Sequence, residues 1–83
     1  MDKNVWSQIK SVTRLEFIDA LSKDGYEETG KRGADRGFRH SITGKYIVIH
    51  FHSKKPFGRD TLKMLLNDLG WMEKDLRRLK LIR

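Results

Sequence analysis

The run Tyr46-Ile47-Val48-Ile49-His50-Phe51-His52 constrains the fold of this chain more than any other stretch. Its residues are mostly β-branched or aromatic, and they alternate. Ile47, Ile49 and Phe51 fall on one side, and Tyr46, Val48, His50 and His52 on the other. A period of two is the signature of a strand buried on one face only. Such a strand needs partners in a sheet and an apolar layer over its buried face. We place it over residues 45–52.

The partners lie just upstream. Residues 26–31 read as a first strand and 37–42 as a second. Arg32-Gly33-Ala34-Asp35 is a turn, favoured by its glycine. Ser41-Ile42-Thr43-Gly44 closes toward a tight hairpin turn ending at Gly44. Local hairpins make the sheet antiparallel.

The covering layer comes from helices on either side. Thr13-Arg14-Leu15-Glu16 is a capping box, in which the Thr13 hydroxyl and the Glu16 carboxylate satisfy each other's backbone N–H groups. Leu15, Ile18 and Leu21, joined by Phe17, form an apolar stripe over a helix at 14–23, with Gly25 suited to the left-handed position beyond its end. Leu62, Leu65, Leu66 and Leu69 fall at i, i+3, i+4 and i+7, which gives a helix from 59 to 68 closed by Gly70. Met72, Leu76 and Leu79 suggest a short C-terminal helix with Lys74, Arg77, Arg78 and Lys80 on its outer side. Near the N-terminus, Val5, Ile9 and Val12 have helical spacing, which fits either a docking helix or a frayed arm. The fold class expected is α+β: a helix, a three-stranded antiparallel sheet, a helix and a short C-terminal helix. The chain of 83 residues supports one domain with one modest core.

Charge bears on partners rather than on fold. Eighteen Lys and Arg stand against eleven Asp and Glu, a formal charge of +7. Between Thr29 and Arg59 lie eight basic residues and one acid, Asp35, so that segment holds the whole excess. The rest of the chain is balanced. A basic middle between neutral flanks is the footprint expected of a nucleic-acid binder, although a solvated basic surface has the same composition. Lys31, Arg32, Gly33, Arg36, Arg39, Lys54, Lys55 and Arg59 are the candidate RNA contacts. The helix start at Gly58–Thr61 offers backbone N–H groups to a phosphate, or is simply capped, with Asp60 complementing the helix dipole. There is no cysteine, which excludes disulfides and thiolate metal sites and favours a reducing, cytoplasmic setting. No apolar run is long enough to span a membrane.

Four motifs together resemble the HicA (YcfA-like) toxin family of type II toxin–antitoxin systems. They are Lys23-Asp24-Gly25-Tyr26 at the end of the first capped helix; Lys31-Arg32-Gly33-Ala34-Asp35-Arg36-Gly37-Phe38-Arg39-His40; Ile47-Val48-Ile49-His50-Phe51-His52; and Phe57-Gly58-Arg59-Asp60-Thr61-Leu62 leading to Leu65-Leu66-Asn67-Asp68-Leu69-Gly70. The resemblance covers about residues 12–70, leaving 1–11 and 71–83 as extensions. It implies a fold like a double-stranded-RNA-binding domain and an mRNA-cleaving endoribonuclease. Such an enzyme inhibits translation and is neutralised by a HicB-like antitoxin. The family's functional histidine, in a Gly-Ser-His motif, falls on Asp35 here, and its serine on Ala34. The alternative is therefore an RNA-binding module that no longer cuts.

Cleaving RNA without a metal needs a base for the 2′-hydroxyl, an acid for the leaving oxygen and cations at the phosphate. Histidine suits both proton roles near neutral pH. The candidates are His40, His50 and His52, with Asp35 as a substitute base. His50 and His52 share a strand face about 7 Å apart. Each candidate also has a plain reading: solvated imidazoles on an open face, or, for Asp35, a turn residue. Exposed Tyr46 either stacks on a base or packs on the sheet. No third ligand accompanies the two histidines, so no metal or cofactor is expected.

Overall fold

A computed structural model describes residues 3–50 and 57–83 of the chain. His52, Lys54 and Lys55 lie outside the described residues. The elements are α1 (Lys3–Ile9), α2 (Arg14–Lys23), β1 (Tyr26–Arg32), β2 (Asp35–His40), β3 (Tyr46–His50), α3 (Arg59–Leu69) and α4 (Glu73–Arg78). The strands form one antiparallel sheet in the order β1-β2-β3. The helix–sheet–helix order with an added C-terminal helix is the α+β arrangement expected, like that of a double-stranded-RNA-binding domain. Among the described residues, no helix is long and apolar enough to cross a membrane.

The capping box forms as expected. Glu16 N–H donates to Thr13 Oγ1 at 3.1 Å, and Thr13 N–H donates to Glu16 Oε1 at 3.0 Å. The backbone N–H bond from Thr13, with help from its hydroxyl, lowers the Glu16 pKa. A carboxylate with a depressed folded pKa stabilises above its unfolded pKa, and that contribution is lost as pH falls through the folded value. Thr13→Ala should cost about 1 kcal/mol at neutral pH. Urea denaturation at pH 7 measures this, and the cost of Glu16→Ala, which removes the titrating carboxylate, should shrink between pH 7 and pH 3.

The helix faces differ from the expected stripe at two residues. On α2 the buried residues are Phe17, Ala20 and Leu21, while Leu15 is 68% exposed. Leu15 is two residues, or 200°, from Phe17 on the helical wheel, so it cannot share that face. Met72 is 65% exposed because it lies before the first turn of α4, where Asp75 reaches back to its N–H at 2.9 Å. Leu76 and Leu79 are buried as expected.

Three aromatic rings join at the centre of the core. The Phe17 ring lies 5.2 Å from Phe57, edge-on, and 5.3 Å from Trp71. α2 packs on β1 and α3 on β3. All four leucines of the α3 stripe are buried, at about 1.5–3 kcal/mol each. α1 is a docked helix, with Val5 and Ile9 in the same core. Asp24, at the end of α2, ties the C-terminal extension down. Its carboxylate accepts from Trp71 Nε1 and from Arg78, both at 2.8 Å.

The β1–β2 turn is a two-residue loop, Gly33-Ala34, with Arg32 opposite Asp35. Gly33 has φ of +62°. A positive φ at only the first central position is a II′ turn, which matches the twist of its strands. β2 begins at Asp35 rather than at residue 37 and ends at His40 rather than at 42. Ile42 consequently sits in the β2–β3 loop, 88% exposed. The loop is longer than a tight turn because His40 N–H pairs with the Lys45 carbonyl at 2.8 Å.

Candidate functional site

The sheet register determines which candidate side chains meet. Tyr26, Phe38, Ile47 and Ile49 are buried beneath the helices, and Tyr46, Val48 and His50 are exposed on the opposite face. On that outer face Arg32 stands opposite Asp35, and Asp35 opposite His50. A row of cation, carboxylate and imidazole thus crosses all three strands.

Asp35 Oδ1 is hydrogen-bonded to His50 Nδ1. Both side chains keep substantial access to solvent, 60% for His50 and 42% for Asp35. A carboxylate on Nδ1 holds the ring in one orientation and keeps the Nδ1 proton in place, so Nε2 becomes the proton-transfer nitrogen. The backbone of His50 is held as well: Arg14 Nε donates to its carbonyl at 2.8 Å, and the Arg14 guanidinium lies 4.6 Å over the Phe57 ring.

The adjoining row is Gly30, Gly37 and Val48. Two glycines here leave a shallow hollow beside Asp35, bordered by Lys31, Arg32 and Tyr46. The Tyr46 hydroxyl occupies the space that a side chain on Gly37 would need. Tyr46 therefore packs across the sheet and yet remains 50% exposed, with the Arg39 guanidinium 5.3 Å from its ring centre.

His40 is not part of this row. It lies on the inner side with Phe38, edge-on to Tyr26 at 4.9 Å. Nε2 bonds to the Asp24 carbonyl at 2.8 Å, so that nitrogen donates. Nδ1 then accepts from the N–H groups of Ile42 and Thr43, each at 3.2 Å. Both ring nitrogens are committed to the backbone, and the residue fastens the β2–β3 loop to the end of α2.

Among the described residues, the basic segment does not form a single surface. Lys31 and Arg32 are exposed at the end of the β1–β2 hairpin, beside Gly33 at its tip, and Arg39 lies on the outer face. Arg36 points the other way, half-buried and ion-paired with Glu28. Arg59 is on the far side of α3, its guanidinium 5.6 Å from the Trp6 ring centre. The strand alternation and the passage from β3 to α3 divide what is contiguous in sequence.

A small basic α+β domain with an open sheet face is the class this architecture defines. Residues 15–71 match the family described as HicA toxin of bacterial toxin–antitoxin. The chain belongs to that family: it is a toxin of the toxin–antitoxin kind, with a cognate antitoxin as its implied partner. Comparison with curated proteins and with solved structures found no match.

Proposed function

We propose that this chain is a metal-independent, mRNA-targeting endoribonuclease that inhibits translation in the cytoplasm, and that a HicB-like antitoxin neutralises it. One domain spans residues 1–83, with the extensions built into its core. The observation that carries the reading is the Asp35–His50 pair, with Arg32 beside it on the open face.

His50 does the proton chemistry, and Asp35 orients it from the position where the family has its histidine. His50 Nε2 takes the proton of a 2′-hydroxyl. The 2′-oxygen bonds to phosphorus, the bond from phosphorus to the 5′-oxygen breaks, and that oxygen takes a proton from a water that the protonated His50 reprotonates. Arg32 offsets the charge building on the phosphate. His40 serves the fold and not the reaction.

Incubating the protein with total RNA in EDTA tests this. Discrete fragments support the reading. Intact RNA at large protein excess, with binding retained, moves the chain to the non-cutting RNA-binding module. Binding itself should be salt-sensitive. Lys31→Gln and Arg32→Gln should each reduce the slope of log affinity against log salt by about 0.7–0.9, the value of one phosphate contact. Filter-binding titrations across a salt series measure that slope.

A further inference from the structure

A groove of about 730 Å³ lies away from the Asp35–His50 row, between α1, α3 and the start of α4. Lys3 and Trp6 of α1 form one wall, Arg59 and Lys63 of α3 another, and Trp71 and Met72 the end. Lys63 Nζ and the Arg59 guanidinium each lie 5.6 Å from the Trp6 ring centre. None of its lining residues is acidic, and Leu66 and Trp71 supply an apolar floor. Lys3, Trp6 and Met72 lie outside the family match of residues 15–71, so the α1 wall and Met72 fall beyond the matched region.

We infer that this groove is a docking surface for an acidic, apolar-faced segment of the cognate antitoxin. Three cations with no ion pair among the described residues select an anionic partner, and the apolar floor selects side chains rather than a phosphate backbone. Met72, 65% exposed, is a flexible thioether of the kind that adapts to a partner's apolar residues. A nucleic acid fits less well. Base stacking needs an open ring face, and the Trp6 ring already has two cations over it. A second copy of the chain fits poorly too, because it brings a charge of +7 to a cationic surface. Holding the toxin on its helical side would leave the sheet face to be covered by another part of the same antitoxin.

The inference rests on family membership and not on the chemistry assigned to His50. The test measures binding of the full chain to the protein encoded by the adjoining reading frame, by calorimetry. The variants are Lys3→Glu combined with Lys63→Glu, and separately Met72→Asp. All three side chains are exposed, so the fold should persist, and circular dichroism checks it. Each variant should weaken the complex at least tenfold, while Lys3→Arg with Lys63→Arg restores it. Affinity for RNA, measured on the same proteins, should not change. Wild-type affinity for the adjoining-frame protein in both variants would overturn the inference, as would no binding by the wild type. A parallel loss of RNA affinity would overturn it as well, since the groove would then hold nucleic acid. If RNA stays intact in every sample while complex formation still falls, the nuclease reading fails and the docking surface stands.

Discussion

His50→Ala is expected to lower the rate of RNA cleavage by about 10²–10⁴-fold, the usual contribution of a positioned acid–base group. The alanine removes the only histidine among the described residues on the outer sheet face. The fold should be almost unaffected, because the side chain is 60% exposed. Asp35→Asn should act more weakly and in a telling way. An amide in that place still reaches His50 Nδ1, but it no longer holds the donor on that nitrogen against its alternative, so activity falls while RNA affinity stays. His40→Ala should instead loosen the β2–β3 loop, since its ring bonds three backbone groups. Rates on a defined RNA, with melting temperatures measured alongside, separate the two kinds of histidine.

Phe17→Ala should be the most damaging change to the fold. The side chain is fully buried and lies between Phe57 and Trp71. Removing a buried phenylalanine costs about 3–5 kcal/mol, through lost transfer energy and the cavity left behind. At the typical stability per residue, a domain of this length has about 4–12 kcal/mol in total. The variant should therefore be largely unfolded at 37 °C, or melt far below the wild type. Leu15→Ala, on the same helix but exposed, should change stability by less than about 0.5 kcal/mol. A thermal melt of the pair measures how completely the apolar face of α2 is defined by Phe17 rather than by Leu15.

The local elements were legible because each rests on nearby residues. The Thr13–Glu16 box, the Gly33 turn, the alternation of β3 and the leucines of α3 all depend on spacings of four residues or fewer. What sequence reasoning missed depends on register. A hairpin around Thr43 sets His40 near Tyr46 and Ile47. In the structure Arg39 holds that place, because the longer loop shifts the pairing by one. A shift of one residue exchanges the two faces of a strand. It puts His40 inside and brings Asp35 directly across from His50. The bond between His40 N–H and the Lys45 carbonyl, which sets this register, leaves no mark in the residue pattern.

The basic segment is divided for a related reason. Its charge is contiguous along the chain, and among the described residues the fold distributes it over two faces and the far side of α3. Arg36 finds Glu28, and Arg59 finds Trp6. Lys3, Trp6 and Lys63 gave no signal as a group, because only the docking of α1 beside α3 brings them together. Trp71 and Asp24 are 47 residues apart and meet only in the folded chain.

The most direct measurement compares wild type and His50→Ala on the same labelled RNA, in EDTA, at protein concentrations that saturate binding. The account predicts that both proteins bind with the same affinity and salt slope, and that only the wild type cuts. Equal cleavage by the two proteins would contradict it, as would RNA left whole by the wild type.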